Sequence, residues 1–242
     1  MALLQHHDDP GQRIPLPPAS TPHRLGLLST VRPGMPLLAT RLAIAGLQVS
    51  ADARWGDVTA LAALHSHSPA ALLLDLSEAQ EEAVPDLIRA ARLIAPTIAL
   101  PPTPRCALAA FEAGAIDVLD HRARSVELAW RIHACLRRIT TAAKASHHFS
   151  GSLVQSMLFD ILINARQPVC CHQLRLLLGS PDLPMTMRAL KARIHRLHPA
   201  LHEQQRSLVM DQQWGLVTYA CQPPSAPRSV SWLDAQRGSS PA

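Results

Sequence analysis

The stretch that decides the fold is AALLLDLSEAQ, residues 70–80. Five apolar residues in succession, with no alternation toward a wet face, read as a strand buried on both sides, the habit of a parallel sheet covered by helices. The run closes on a lone acid, Asp75. A carboxylate at the carboxyl end of a buried strand serves as a phosphate acceptor, a metal ligand or a helix cap, and its neighbours decide which.

Working outward, residues 24–142 repeat the same pattern. Short apolar runs RLGLLS (24–29), LQVSA (47–51), TIAL (97–100) and IDVL (116–119) flank this one. Amphipathic stretches of helical length lie at 34–45, 57–65, 83–94, 104–113 and 125–141. Five β/α units joined by short right-handed crossovers predict a five-stranded parallel sheet between helices. A polar segment, TTAAKASHHFSGS (140–152), then reads as a linker.

Residues 152–221 change register. The pattern predicts a helix over 152–165, a shorter one over 170–178, a Pro-punctuated loop GSPDLP (179–184), a long amphipathic helix over 185–201 and a β-rich end, SLVMDQQWGLVTYA (207–220). Three helices followed by a hairpin is the order of a winged helix. In the long helix Leu190, Ile194, Leu197 and Leu201 make one apolar face, while Arg188, Lys191, His195 and Arg196 point away from it and Arg193 lies at its edge. Asp182 or Thr186 is placed to cap the start, and Pro199 to kink or end the helix.

Composition sets the class. The chain has 242 residues, 48% apolar and 17% charged, enough for two modest domains each with its own core. The apolar runs fall far short of the roughly 18–20 residues that cross a bilayer, and the N-terminus lacks a basic region followed by an apolar one, so a cytoplasmic location is expected. Five cysteines without a C-x-x-C pair read as reduced thiols. The histidines of LHSHS (64–68) and SHH (146–148) sit in loop-like segments without Cys or acid partners at ligand spacing, and read as solvated. No metal and no cofactor is expected. The net charge of +5 is uneven: residues 146–242 carry nine Lys/Arg against five Asp/Glu, residues 1–145 fourteen against thirteen. The ends, residues 1–23 and 222–242, are rich in Pro and Ser and read as disordered tails.

The layout resembles the two-domain bacterial response regulators of the OmpR/PhoB type. The resemblance rests most specifically on FEAGAIDVLDHRARSVELAWRIHACLRR (111–138), which follows the family's fifth strand and helix, and on MRALKARIHRLHPAL (187–201), which follows its recognition helix. It implies an α/β, five-stranded parallel, flavodoxin-like receiver-type domain over 24–142, a linker over 143–151 and a winged helix-turn-helix DNA-binding domain over 152–221. It also implies a receiver that has lost its chemistry. Of the residues that bind Mg²⁺ and transfer phosphate in the family, only the acceptor position, Asp75, survives. The acid pair falls on Ser29 and Thr30, the hydroxyl position on Pro101, the lysine on His121 and the switching ring on Val118. Phosphoryl transfer is largely positioning plus charge neutralisation, so losing the metal-binding carboxylates removes its main term. Asp75 is then a helix cap or a residual polar group; a proton-dependent charge supplied to the old pocket by His121 is the lesser alternative.

The resemblance further places a dimer face at Arg105, Asp117, Glu127 and Arg131, and DNA contacts at Arg188, Lys191, Arg193, His195 and Arg196. The hairpin tip departs from the family: Gln212 and Gln213 stand beside Asp211 where an Arg is common, and Trp214 is expected to be packed. The reading is a sequence-specific transcription regulator acting as a homodimer on double-stranded DNA. RNA polymerase, and a small ligand or regulatory protein at the receiver, are its further partners. A protein-interaction module that has lost DNA binding is the alternative. An enzyme is not expected, because no nucleophile–base pair, metal cluster or Gly-rich phosphate loop appears.

Overall fold

The computed structural model describes residues 24–30, 37–139, 149 and 151–223. The expected N-terminal tail, nearly all of the C-terminal one and most of the linker over 143–151 lie outside the described residues.

The first half alternates strand and helix: β1 (Leu25–Ser29), α1 (Leu37–Ile44), β2 (Val49–Arg54), α2 (Val58–Ser66), β3 (Ala71–Asp75), α3 (Val84–Ala91), β4 (Thr97–Leu100), α4 (Ala107–Glu112), β5 (Asp117–Val118) and α5 (Ser125–Arg138). The sheet is parallel throughout, in the order β2-β1-β3-β4-β5, the doubly wound flavodoxin-like order. Successive strand residues serve opposite faces. Leu25, Leu27, Leu73, Ile98 and Leu100 pack toward α1 and α5 with Leu42, Leu128 and Ile132. Leu28, Leu72, Leu74 and Ala99 pack on the other face with Leu61, Leu64, Leu87 and Ile88 of α2 and α3. This two-sided demand is why the strands are unbroken apolar runs.

The second half comprises α6 (Leu153–Asn164), β6 (Val169–Cys170), α7 (Cys171–Leu177), α8 (Met187–His195), α9 (His198–Glu203), β7 (Ser207–Gln213) and β8 (Leu216–Gln222). Its three strands are antiparallel in the order β6-β8-β7. Ser152 caps α6 in a reciprocal pair with Gln155. The long helix expected over 185–201 is two helices. The Pro199 ring meets the carbonyl four residues back, that of His195, which is where α8 stops; α9 then begins with Pro199 in its first turn.

The two halves share one core. α2 packs on α6 and α3 on α7, so Leu61, Leu64 and Leu87 belong to the same buried cluster as Leu158, Phe159, Leu162 and Leu174. Trp55, just past β2, is buried between them, and its indole Nε1–H donates to the carbonyl of Leu176 at 2.9 Å. Among the described residues no helix is long and apolar enough to cross a membrane.

Truncating Trp55 to Ala should therefore cost about 3–5 kcal/mol, while Trp55→Phe, which keeps the ring and loses the bond, should cost about 1 kcal/mol. In urea unfolding followed by circular dichroism, the native chain should show one transition, and Trp55→Ala should shift it or split it in two.

Candidate functional site

The site residues expected from the sequence fall in two places: the carboxyl ends of the parallel strands, with the α4–β5–α5 face beside them, and the exposed face of α8. At the strand ends Ser29, Asp75 and Leu100 stand in register. Asp75 is half-buried, and its Oδ1 accepts from the Ser77 backbone N–H at 3.0 Å and the Ser77 hydroxyl at 2.7 Å, an Asx turn that starts the following loop. Its carbonyl accepts from Thr30 twice, from the backbone N–H at 3.0 Å and from Oγ1 at 3.2 Å. The Ser29 carbonyl accepts from Trp55 N–H at 2.8 Å.

A working receiver would hold Mg²⁺ here. That ion keeps an octahedron of hard oxygens with carboxylate charge behind it. The strand ends offer Asp75, already accepting in its own turn, beside the neutral Ser29 and Thr30, and the segment VRPGMP (31–36) contains no acid. These residues do not fit the ion. Among the described residues no group of three or more His, Cys, Asp or Glu is arranged to hold a metal.

Pro101 and His121 line a separate cavity of about 480 Å³ with Val118, Asp120 and Arg131; Asp75, Ser29 and Thr30 do not line it. Sequence reading missed Arg41. From α1 its guanidinium donates to the carbonyls of His121 (2.6 Å) and Ala123 (2.5 Å), pinning the loop after β5. An Arg in the last turn of an ordinary helix gives no signal of a partner 80 residues away.

On the α4–β5–α5 face, Arg131 and Asp117 pair with each other within the chain. Arg131 donates from Nε to Oδ2 (3.2 Å), from Nη2 to Oδ1 (2.5 Å) and from Nη2 to the Val118 carbonyl (3.0 Å). Arg105 and Glu127 are exposed. So are Leu108 and Phe111 of α4, at 69% and 48%. Cys135 completes the cluster, its Sγ at 3.6 Å from Asp117 Oδ2. Burial first, and the adjacent Asp117 carboxylate second, push its thiol up from 9.0 to about 11.

The second place is α8. Gly179 allows the loop before it to fold tightly, since a Cβ there would lie 2.5 Å from the Met185 nitrogen. Met185 N–H donates to the Arg175 carbonyl at 2.9 Å, and Arg175 Nε returns a bond to the Met185 carbonyl at 2.5 Å. Thr186, not Asp182, caps the helix through Ala189 N–H. Leu190, Ile194, Leu197 and Leu201 are buried; Arg188, Lys191, His195 and Arg196 are exposed and Arg193 is half-buried. No acid occurs between Asp182 and Glu203, so the face is purely cationic. Arg196 Nε folds back to the Ala192 carbonyl at 3.2 Å.

Two expectations are corrected. Trp214 is not packed: with Gly215 it forms a two-residue turn with φ of +52° and +78° between Gln213 and Leu216, and the ring is fully exposed. Positive φ at both central residues matches the twist of a hairpin, and throws the first side chain outward. His65 of LHSHS is not a solvated loop residue. It lies in the last turn of α2, 8% exposed, with Nε2 at 3.4 Å from Asp160 Oδ2 of α6.

No family model and no curated protein matches the chain. Among solved structures, a CheY-like protein (tadZ) from Pseudomonas aeruginosa is similar, at 26% identity and a TM-score of 0.36, covering 46% of this chain and 98% of that one.

Two outcomes follow from the geometry. Incubation with Mg²⁺ and a small phosphodonor should add no phosphate to the intact mass, and Asp75→Asn should behave like the native chain; an adduct confined to Asp75 would contradict this. The Cys135 thiol is neutral in both folded and unfolded states below pH 9, so its contribution to stability is full there. Between pH 9 and 11 the unfolded chain ionises first and stability falls, by up to about 2–3 kcal/mol. Cys171, Cys221 and Tyr219 are also raised by burial and add a loss of the same sign. Urea unfolding at about pH 8 and about pH 10.5 should show the drop, and Cys135→Ala should reduce it.

Proposed function

We propose that this chain is a DNA-binding transcription regulator of the OmpR/PhoB type, acting in the cytoplasm as a homodimer, with a receiver-type first half that phosphorylation does not switch. The observation that carries the reading is the face of α8: four exposed basic side chains and no acid, on a helix whose entry is fixed by the Thr186 cap and the Arg175–Met185 clasp. Helix, short strand, α7, α8 with α9 continuing it past the Pro199 break, and a hairpin, with β6 paired to β8, is the arrangement expected of a winged helix, in which a helix such as α8 enters the major groove. Arg188 and Arg196 then suit bidentate contact with guanine, and Lys191 a phosphate.

The first half supports the dimer in a limited way. Arg131 and Asp117 are spent on each other, so pairing would rest on the exposed Leu108 and Phe111 of α4, flanked by Arg105 and Glu127. RNA polymerase is the partner such a regulator would meet at a promoter. Catalysis has no part in the proposal. The alternative, a protein-interaction module, draws on β7. It is an edge strand exposed along almost its whole length, and Val209, Met210, Trp214 and Leu216 are bare.

Salt titrations of duplex binding, on a matched and a mismatched two-half-site fragment, separate the readings. Arg188→Ala or Arg196→Ala should cost about 1–3 kcal/mol on the matched site and relax preference at one position. Lys191→Ala should weaken both fragments alike and lower the salt slope by about one. Changing Gln212 and Gln213 together to Ala should matter less. Binding that survives the arginine changes and fails on the hairpin changes would overturn the placement, and no binding to any genomic fragment would favour the alternative.

A further inference from the structure

Between the two halves lies an open cleft of about 590 Å³, within the size range of small-molecule sites. Its walls come from both. The first half contributes His65, Arg89, Arg92 and the segment Leu93–Pro96; the second contributes Asp160, Ile161 and the turn from Asn164 to Val169 after α6. Three guanidinium groups, Arg89, Arg92 and Arg166, line the cleft against one carboxylate, Asp160. That carboxylate is engaged by His65, and Arg89 is paired with Asp86 at 2.9 Å. Arg92 spends one nitrogen on the Ala113 carbonyl at 3.2 Å. Arg166 is exposed. Arg92 and Arg166, one from each half, thus carry charge that no acid lining the cleft balances.

The rest of the lining mixes apolar side chains, chiefly Leu93, Pro96 and Pro168, with the amides of Asn164, Gln167 and Gln173. Of the lining residues His65 and Asp160, the Nδ1 and Oδ1 atoms are buried without a hydrogen-bond partner among the described residues. Leaving such atoms unsatisfied is costly, and groups of this kind gather where a ligand or a conformational change settles the account.

We propose that the cleft binds a small organic anion, its acidic group held between Arg92 and Arg166 and its apolar body lying on Leu93, Pro96 and Pro168. A guanidinium fork takes a carboxylate or a phosphate equally well, so the acidic group is defined by charge and planar donors rather than by element. Because the two arginines belong to different halves, an occupied cleft ties the α2–α3 face to α6 and adds to the hold of Trp55 on Leu176. The site is independent of whether α8 meets DNA, so its failure leaves that reading untouched.

The test is calorimetric titration of the full chain with three probes: benzoate for an apolar carboxylate, adenosine monophosphate for an apolar body with a phosphate, and inorganic phosphate for the anion alone. One of the two organic probes should bind with Kd below about 1 mM and inorganic phosphate at least about tenfold more weakly. The organic probe that binds names the acidic group. Arg166→Glu, an exposed change that threatens no packing, should weaken that probe by about tenfold or more. Ala165→Trp, at a residue that lines the cleft, should abolish binding while Arg137→Glu, exposed on α5 and away from the cleft, leaves it unchanged. The proposal falls if neither organic probe binds, if inorganic phosphate binds as tightly as they do, or if binding is indifferent to both cleft variants.

Discussion

The burial of Trp55 between the two halves is the constraint on which the rest of the molecule depends. A doubly wound sheet must cover both faces, and α2 and α3 would ordinarily end the layer by facing water with their outer sides. Here those sides are apolar and meet α6 and α7, so the layer continues into the second half without a break. The Trp55 indole supplies area and a directed bond at the seam. Everything mounted on α7, including the clasp that sets α8, inherits its position from the sheet.

That continuity gives the strand ends a different meaning. In a receiver, the carboxyl edge of the sheet is the place where charge changes, and the change is passed to the neighbouring faces. Here the edge is tied down by hydrogen bonds: Ser77 occupies an oxygen of Asp75, Thr30 occupies its carbonyl, and Arg41 holds the loop after β5. Asp117 and Arg131 close on each other beside a thiol held neutral. At the seam a histidine–aspartate contact and arginines from both halves meet.

The hairpin and α8 show opposite solutions to exposure. The helix offsets its basic face with a buried opposite face and three hydrogen bonds at its start, one between backbone groups and two through the side chains of Arg175 and Thr186. β7 has little behind it, and its exposed apolar residues end in a Trp at a positive φ, a conformation disfavoured for any side chain other than glycine's. A tip of that kind is available for contact, and its bare ring is the largest exposed apolar group among the described residues of the second half.

Periodicity alone determined the sheet, its parallel sense and the succession of helices, because a strand buried on both faces and a helix buried on one leave local patterns of period and run length. It also located the apolar face of α8, through Leu190, Ile194 and Leu197. The break expected at Pro199 falls after His195, because the clash of the ring is with the carbonyl four residues back. What only the tertiary structure decided are the contacts made across long separations: Arg41 on the loop at His121, Trp55 on Leu176, His65 beside Asp160 and the pairing of Asp117 with Arg131. Each joins residues whose types are unremarkable where they stand in the chain. Their partners are chosen by how helices pack on the sheet, and side-chain packing between distant segments leaves no period in the sequence to read.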